Sequence, residues 1–171
     1  MNLTKYREQW LRSHRAYEKR AFRILRKMFR SLAKGIPFDQ LTFANYSGVL
    51  ENSITDAPIK DAYLQIYLQI GLIHGRRVGA SINKDIKDFT FEAFTEAFKR
   101  YLYAAILQST EPRRRMVRET FIDYIREIIG QGARDGKTIQ EISRDITRRV
   151  NSRNFFYYQA KNCTNRNHFS K

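Results

Sequence analysis

The chain has 171 residues and a formal net charge of +15, with 42% hydrophobic and 13% aromatic residues. Its apolar content excludes a wholly disordered chain, and its length suggests one domain, with or without an extended arm. Because it contains only three prolines and eight glycines, helices are favoured over many short strands joined by turns.

The positive charge is concentrated at the two ends of the chain. Residues 1–34 hold eleven Lys or Arg against two Glu, a net charge of +9. Residues 35–110 have a net charge of −1, and residues 111–171 have +7. Basic ends indicate a nucleic acid, an acidic protein surface or an anionic lipid as partner, without distinguishing among them.

Secretion and membrane insertion are not expected. The single cysteine, Cys163, cannot form an internal disulfide, which favours a reducing compartment. Residues 1–34 are too charged for a signal peptide. The most apolar run, residues 62–73, is shorter than the ~20 residues that a membrane span needs. We therefore interpret this run as part of a central, buried helix.

Residues 4–34 are predicted to form one long, basic, amphipathic helix. Apolar and aromatic side chains recur at steps of three and four, as on one helix face: Trp10, His14, Tyr17, Ala21, Ile24, Met28 and Leu32. Basic residues occupy the other sides: Arg12, Arg15, Lys19, Arg23, Arg26, Lys27 and Arg30. Gly35 is expected to supply a left-handed stop before Pro37. Such a helix could pack on its own domain, pair with another subunit or lie on a membrane; we prefer the first.

The rest of the chain is also predicted to be helical. Asp56 and Pro58 indicate a helix start, and Ser109 to Pro112 indicate that a new helix begins there. Thr138 and Glu141 have the spacing of a capping box. The predicted helices are a short one within 38–54, then 56–77, 89–108, one ending near Gly130 or Gly132, 138–150 and 152–160. The fold class is therefore all-α with six or seven helices, because no segment alternates with period two.

Three segments are expected along the chain. Residues 1–34 form a basic N-terminal helical arm, residues 35–160 a helical domain, and residues 161–171 an aberrant or disordered tail. No catalytic motif is visible: the metalloprotease, nucleophile-elbow and complete phosphate-loop patterns are all absent from the sequence. The three histidines, His14, His74 and His168, are dispersed, unlike metal ligands. We expect a protein that is not an enzyme and has no cofactor or metal.

The densest basic cluster is a candidate contact for nucleic acid or an acidic partner. It contains Arg113, Arg114, Arg115 and Arg118, which could neutralise phosphates. The alternative is a solvated first helical turn. Positive charge near a helix N-terminus opposes the helix dipole, and this favours an acidic partner.

A second candidate contact lies after Gly136. Arg144, Arg148 and Arg149 belong to a capped amphipathic helix that follows a helix and a glycine turn, an order similar to a helix-turn-helix. Many helical pairs share this order, so the pattern has low specificity.

The last eleven residues, Lys161–Lys171, can be read as coding sequence in a shifted frame. If their codons are read one base later, with Arg166 as AGA or AGG and Ser170 as AGC or AGT, they can encode K-I-A-R-T-E-T-T-S-A. One inserted base, or two lost bases, in the adenine-rich codons after Gln159 would account for the tail. The alternative is a genuine polar C-terminus.

The restored segment resembles the I-A-R-T-E segment of the phage minor head proteins related to protein F of phage Mu, the phage head morphogenesis family. That family has a similar G-x-[ST]-hydrophobic-x-E-hydrophobic segment upstream, matched here by Gly136 to Ile146. It also has paired aromatics and Tyr-x-Ala, matched up to Tyr158-Gln159-Ala160. The resemblance covers about twenty-five residues, and residues 1–110 carry no signature of the family.

The resemblance implies a structural, non-enzymatic protein of phage or prophage head assembly, located in the host cytoplasm or the virion. Its partners would be portal or capsid subunits, and DNA through the basic ends. The chain would be a truncated N-terminal product, because the family domain continues beyond I-A-R-T-E. Two alternatives remain: a DNA-binding regulator that reads with Thr138 to Arg153, and an oligomeric scaffold built on residues 1–34.

Overall fold

We describe the fold from a computed structural model that covers residues 3–82 and 96–152, with the side chains of residues 11, 12, 14–71, 73 and 96–152. Every regular element in this part is helical, so the fold class is all-α. The elements are α1 (Leu3–Lys34), a 3-10 turn (Phe38–Gln40), α2 (Tyr46–Ser53), α3 (Ala57–Ile82), α4 (Glu96–Arg134) and α5 (Ile139–Asn151). The predicted helix 152–160, the beginning of the predicted helix 89–108 and the tail lie outside the described residues.

The described part contains five α-helices instead of the six or seven predicted for the chain, because α4 is continuous through Pro112. A helix restart at Ser109 to Pro112 was therefore a wrong prediction. Proline removes one helical hydrogen bond and typically costs about 3 kcal/mol in a helix interior. Here Ile106, Thr110 and Arg114 are all buried on the two sides of the proline. Packing of these flanking residues thus compensates for the tendency of Pro112 to interrupt the helix.

The left-handed glycine stop is at Gly136, where φ is +70°. The Lys137 N–H donates to the Gly132 carbonyl at 2.9 Å, and the Gly136 N–H donates to that of Ala133 at 3.1 Å. These two bonds form a Schellman motif, which satisfies the last carbonyls of α4. Helix α4 ends at Arg134, two residues beyond Gly132, so it ends near the predicted position, and the glycine turn predicted at Gly136 is confirmed.

Gly35 was predicted to end α1 in the left-handed conformation. That prediction was wrong, because Gly136 is the only glycine of the described residues with a positive φ. The Gly35 N–H still donates to the carbonyls of Ser31 and Leu32, at 3.1 and 3.2 Å. The helical turn therefore runs on to the vicinity of Pro37, which cannot donate the next bond.

We predict that Gly136→Ala lowers the free energy of unfolding by about 1–2 kcal/mol, because an L-residue is strained in the left-handed region. Gly130→Ala is the matched control. No heavy atom lies within 4 Å of a Cβ added there, and alanine favours the helix interior by about 1 kcal/mol. Urea unfolding measures both variants, and equal effects would contradict the assignment of Gly136 as the stop.

The described residues divide into two compact units, each assembled from separate parts of the chain. The first unit takes residues 3–26, 61–82 and 96–109. The second takes residues 27–60 and 110–152. The last turns of α1 therefore belong to a different unit from its first turns.

The second unit has a dense apolar core around the second half of α4. Phe121, Ile122, Ile125 and Ile129 are at most 1% exposed. Phe121 packs against Phe29 of α1 with ring centroids 5.5 Å apart, within the range for favourable aromatic pairs. Other helices and loops add further core side chains: Met28, Leu32, Ala33, Ile36, Leu41, Leu50, Ile54, Ile59, Ile142, Ile146 and Val150.

The first unit buries fewer of its apolar side chains. Of the apolar residues that led us to predict a central position for α3, Ala62 is buried, but Tyr63, Ile66, Ile70 and Ile73 are only half-buried. Tyr67 is 41% exposed. The prediction of a central helix was therefore wrong for this segment. In the described residues, the part of α3 that belongs to the first unit, residues 61–82, shares that unit only with parts of α1 and α4.

Candidate interaction surfaces

Three arginines of α4 bind α2 and the short segment that connects it to α3. Arg114, Arg118 and Arg126 are spaced by four and eight residues, which places them along the same side of a helix. Arg114, whose side chain is 9% exposed, pairs with the carboxylate of Asp56. Asp56 immediately precedes α3, so this ion pair ties the start of α3 to α4.

Arg118 caps the C-terminal end of α2. Its Nε donates to the Ile54 carbonyl at 2.7 Å, and one terminal nitrogen donates to the Glu51 carbonyl at 2.5 Å. The last carbonyls of a helix have no partner within the helix, and cationic donors there also favour the negative end of the helix dipole. Arg118 further pairs with the Glu51 carboxylate at 3.2 Å.

Arg126 completes this arginine row. Its guanidinium donates to the Glu51 carboxylate and to the Ser47 hydroxyl, each at 2.9 Å, and pairs with Asp123 at 3.3 Å. One carboxylate, that of Glu51, thus bridges two arginines. Connected pairs of this kind can contribute more than isolated surface pairs.

The predicted basic cluster is therefore divided between inner and outer positions. Arg114 and Arg118 bind groups of the chain itself, and we leave them out of any candidate contact surface. Arg113 and Arg115 are exposed, and Arg115 pairs with Glu111 at 3.2 Å. Neighbouring residues of an α-helix point in different directions, so Arg114 and Arg118 face the protein while Arg113 and Arg115 face the solvent.

The three predicted arginines of α5 are all exposed. Arg148 pairs with Asp145 at 2.8 Å, and Lys137 binds the other oxygen of the same carboxylate at 2.8 Å. The hydrogen bond from Lys137 is the largest of the effects that lower the pKa of Asp145. The opposite face of α5 presents Ile142, Ile146 and Val150 to the core.

Helix α5 folds back along α4. A Cβ on Gly132 would lie 2.5 Å from Cγ1 of Ile142, so the backbone of α4 approaches α5 closely beside the turn. Further from the turn, Arg149 forms a hydrogen bond with the Tyr124 phenol. Burial raises the pKa of Tyr124, and the Arg149 charge and hydrogen bond oppose that effect. These two contacts indicate an antiparallel helical hairpin.

The capping box predicted at the start of α5 is confirmed. The Glu141 N–H donates to Thr138 Oγ1 at 3.3 Å, and the Thr138 N–H donates to the Glu141 carboxylate at 2.8 Å. The hydroxyl of Thr138 donates to the same carboxylate at 2.9 Å. The backbone hydrogen bond, followed by that of the hydroxyl, lowers the pKa of Glu141.

We predict that Thr138→Ala raises the pKa of Glu141 part of the way to its ordinary value, because the hydroxyl bond is lost and the backbone bond remains. Since the folded pKa is lowered, the associated stability is present above the unfolded pKa of about 4.3. It disappears as pH falls through the folded value. NMR titration of the Glu141 carboxyl measures the shift. Thr147→Ala, an exposed change on the same helix, should leave that pKa unchanged; a shift of equal size there would refute the explanation.

The end of α1 meets the end of α5. Arg30 Nε donates to the side-chain oxygen of Asn151, whose own amide nitrogen donates to the Thr147 carbonyl at 2.8 Å. Lys27, Arg30 and Lys34 are all exposed. Their spacing of three and four residues places them on one side of α1. The helical periodicity places the basic residues of α1 away from its apolar face but gives no sign of this contact with α5.

Other features of the described part concern metals and membranes. His14 pairs with Glu18 of the same helix at 3.3 Å, and the side chains of His74 and His168 lie outside the described set. No group of three potential metal ligands occurs among the described side chains. Within the described ranges, the helices lack an apolar stretch long enough to cross a bilayer.

Comparison with known proteins returned no match of the chain to a protein-family model, to a curated protein or to a solved structure.

Proposed function

We propose that this chain is a non-enzymatic, helical component of phage or prophage head assembly that associates with portal or capsid subunits. The resemblance to the phage head morphogenesis family carries the proposal, through the Ile-Ala-Arg-Thr-Glu that the tail encodes in a shifted frame and through the segment Gly136 to Ile146. In the fold, this segment is a Schellman turn followed by a capping box and a helix with a buried apolar face. The residues that carry the resemblance are thus ones that shape a helical hairpin, which supports a structural role.

The first unit offers apolar side chains for contact with such subunits. Tyr67, Phe98 and Tyr101 are 41%, 43% and 70% exposed, respectively. Aromatic side chains are enriched in the centre of protein interfaces, where they bury large areas at a low cost in side-chain entropy. We infer that they contribute to a contact with the portal or capsid subunit.

Co-purification tests this role. The full chain is co-expressed with the portal protein, and separately with the major capsid protein, of the phage or prophage that would carry its gene. We expect one of them to be retained, and the double variant Phe98→Ser/Tyr101→Ser to lose it. Phe43→Ser, at a side chain of the second unit that is 47% exposed, is the matched control and should retain it. Absence of retention by the wild-type chain, or equal loss in both variants, would contradict the proposal.

A second candidate is a DNA-binding regulator that uses α5 as its reading helix. The exposure of Arg144, Arg148 and Arg149 favours it. The antiparallel return of α5 along α4 disfavours it, because helix-turn-helix pairs cross at about 90–120°. A gel-shift assay decides between the two: a sequence-specific complex that survives excess competitor DNA would favour the regulator, whereas charge-driven binding falls uniformly with salt.

A further inference from the structure

We propose that the exposed basic residues at the end of α1 and on α5 form one surface that binds the phosphate backbone of nucleic acid. The surface comprises Lys27, Arg30 and Lys34 on α1, and Arg144 and Arg148 on α5. The two basic ends of the sequence would thus meet in a single binding surface within the second unit. Nucleic acid would bind this surface whether or not a portal or capsid subunit is bound to the chain.

The contact between Arg30 and Asn151 brings the two helices together. Arg148 lies three residues before Asn151, and Arg144 lies four residues before Arg148. Residues three or four apart share a helix face, so both arginines lie on the side of α5 that Arg30 reaches. Lys27 and Lys34 lie within one turn of Arg30 on α1. All five side chains are exposed.

The cations on the α1 side of this surface have no acidic residue within two turns of them in their own helix. No Asp or Glu occurs between Glu18 and Asp39. Elsewhere in the described part, Lys99 pairs with Glu96 and Arg115 with Glu111, three and four residues away along the helix. Like charges at these spacings destabilise a helix. The helix dipole favours Lys34 in the last turn of α1, but the repulsion between Lys27 and Arg30 has no acid to offset it in this part of the helix, and an anion beside the row would relieve it.

Acidic groups near the surface are few. On α5, Asp145 lies between Lys137 and Arg148 and is shared by both. Glu141 lies three residues before Arg144 and interacts with its charge, but its carboxylate is also engaged in the capping box. On the neighbouring 3-10 turn, Asp39 is exposed. The five cations exceed these carboxylates, so the surface keeps a positive potential.

The surface fits nucleic acid better than an acidic protein. A protein interface normally has an apolar centre, but none of the exposed large hydrophobic side chains of the described part comes from α5 or the last two turns of α1. An acidic helix of a protein partner would also need its carboxylates at spacings that match those of the five cations. Duplex DNA presents one charge for about every 1.7 Å of its axis, so cations on two helices find phosphates without a set register.

Fluorescence anisotropy of a 30-base-pair duplex tests the surface over a range of salt concentrations. The variant Lys27→Gln/Lys34→Gln/Arg144→Gln/Arg148→Gln should flatten the slope of log K against log salt by up to about 3.6, because each phosphate contact contributes about 0.9. At low salt, we expect its affinity to fall at least tenfold. Arg30 is left unchanged because it binds Asn151.

A matched control removes four exposed charges elsewhere: Lys60→Gln/Arg113→Gln/Arg115→Gln/Arg134→Gln. Its slope should change by less than about 1, since these residues would make no phosphate contact. Equal weakening by the two variants would overturn the proposal, and so would absence of binding by the wild-type chain at low salt.

Two double variants test whether the helices act as one surface. Lys27→Gln/Lys34→Gln and Arg144→Gln/Arg148→Gln should each flatten the slope by up to about 1.8. If one pair has no effect, the composite surface is wrong. Polyglutamate is the probe for an acidic protein partner. Displacement of the duplex by polyglutamate at equal charge concentration would contradict the choice of nucleic acid.

Discussion

Replacing Arg118 with methionine is expected to lower the free energy of unfolding by about 2–3 kcal/mol. Methionine keeps much of the apolar stem but removes the donors to the Ile54 and Glu51 carbonyls and the pairing with the Glu51 carboxylate. Hydrogen bonds that involve a charged group contribute about 1.5–3 kcal/mol, and acceptors left without a partner add a desolvation cost. Urea unfolding followed by circular dichroism measures the change.

Arg113→Met is the matched control for this change. It removes the same charge from the same helix at an exposed position, so its effect should stay within about 0.5 kcal/mol. Equal destabilisation by the two variants would contradict the division of the basic cluster into inner and outer residues. A double variant with Glu51→Gln should destabilise by less than the sum of its parts, because Arg118 and Glu51 are direct partners.

Phe121→Ala is expected to have the largest effect, a loss of about 3–5 kcal/mol, which is typical of a buried Phe truncated to Ala. Phe121 is fully buried, and its ring packs against that of Phe29. Truncation removes this pairing and leaves a cavity in the core of the second unit.

The exposed aromatic residue Tyr101 provides the control for that loss. It is 70% exposed, so Tyr101→Ala should change the free energy of unfolding by no more than about 0.5 kcal/mol. Thermal and urea unfolding of the two variants measure the difference. A loss below about 1 kcal/mol for Phe121→Ala would show that the second unit lacks the dense core described above.

Local signals in the sequence predicted local features of the fold well. The capping box depends on Thr138 and Glu141, which are three residues apart, and its geometry follows from the sequence because no distant group is required. The all-α class likewise follows from helical periodicity and the scarcity of glycine and proline. The end of α4 could be predicted only to within a few residues, because several glycines lie close together and packing decides which of them leaves the helix.

Features that depend on distant contacts could not be predicted. Arg118 and its acceptor Ile54 are 64 residues apart, so the sequence shows a run of arginines without showing which of them turn inward. The continuity of α4 through Pro112 depends on burial of its flanking residues. The meeting of Arg30 with Asn151, 121 residues away, is likewise a tertiary contact that no local pattern indicates.

The coding DNA across Gln159 to Lys171 tests the proposed place of this chain in phage head assembly most directly. We predict that a shift of one base after the Ala160 codon opens a frame that encodes Ile-Ala-Arg-Thr-Glu and continues through a further coding stretch. A stop codon at that position in the shifted frame, or different residues there, would contradict the proposal.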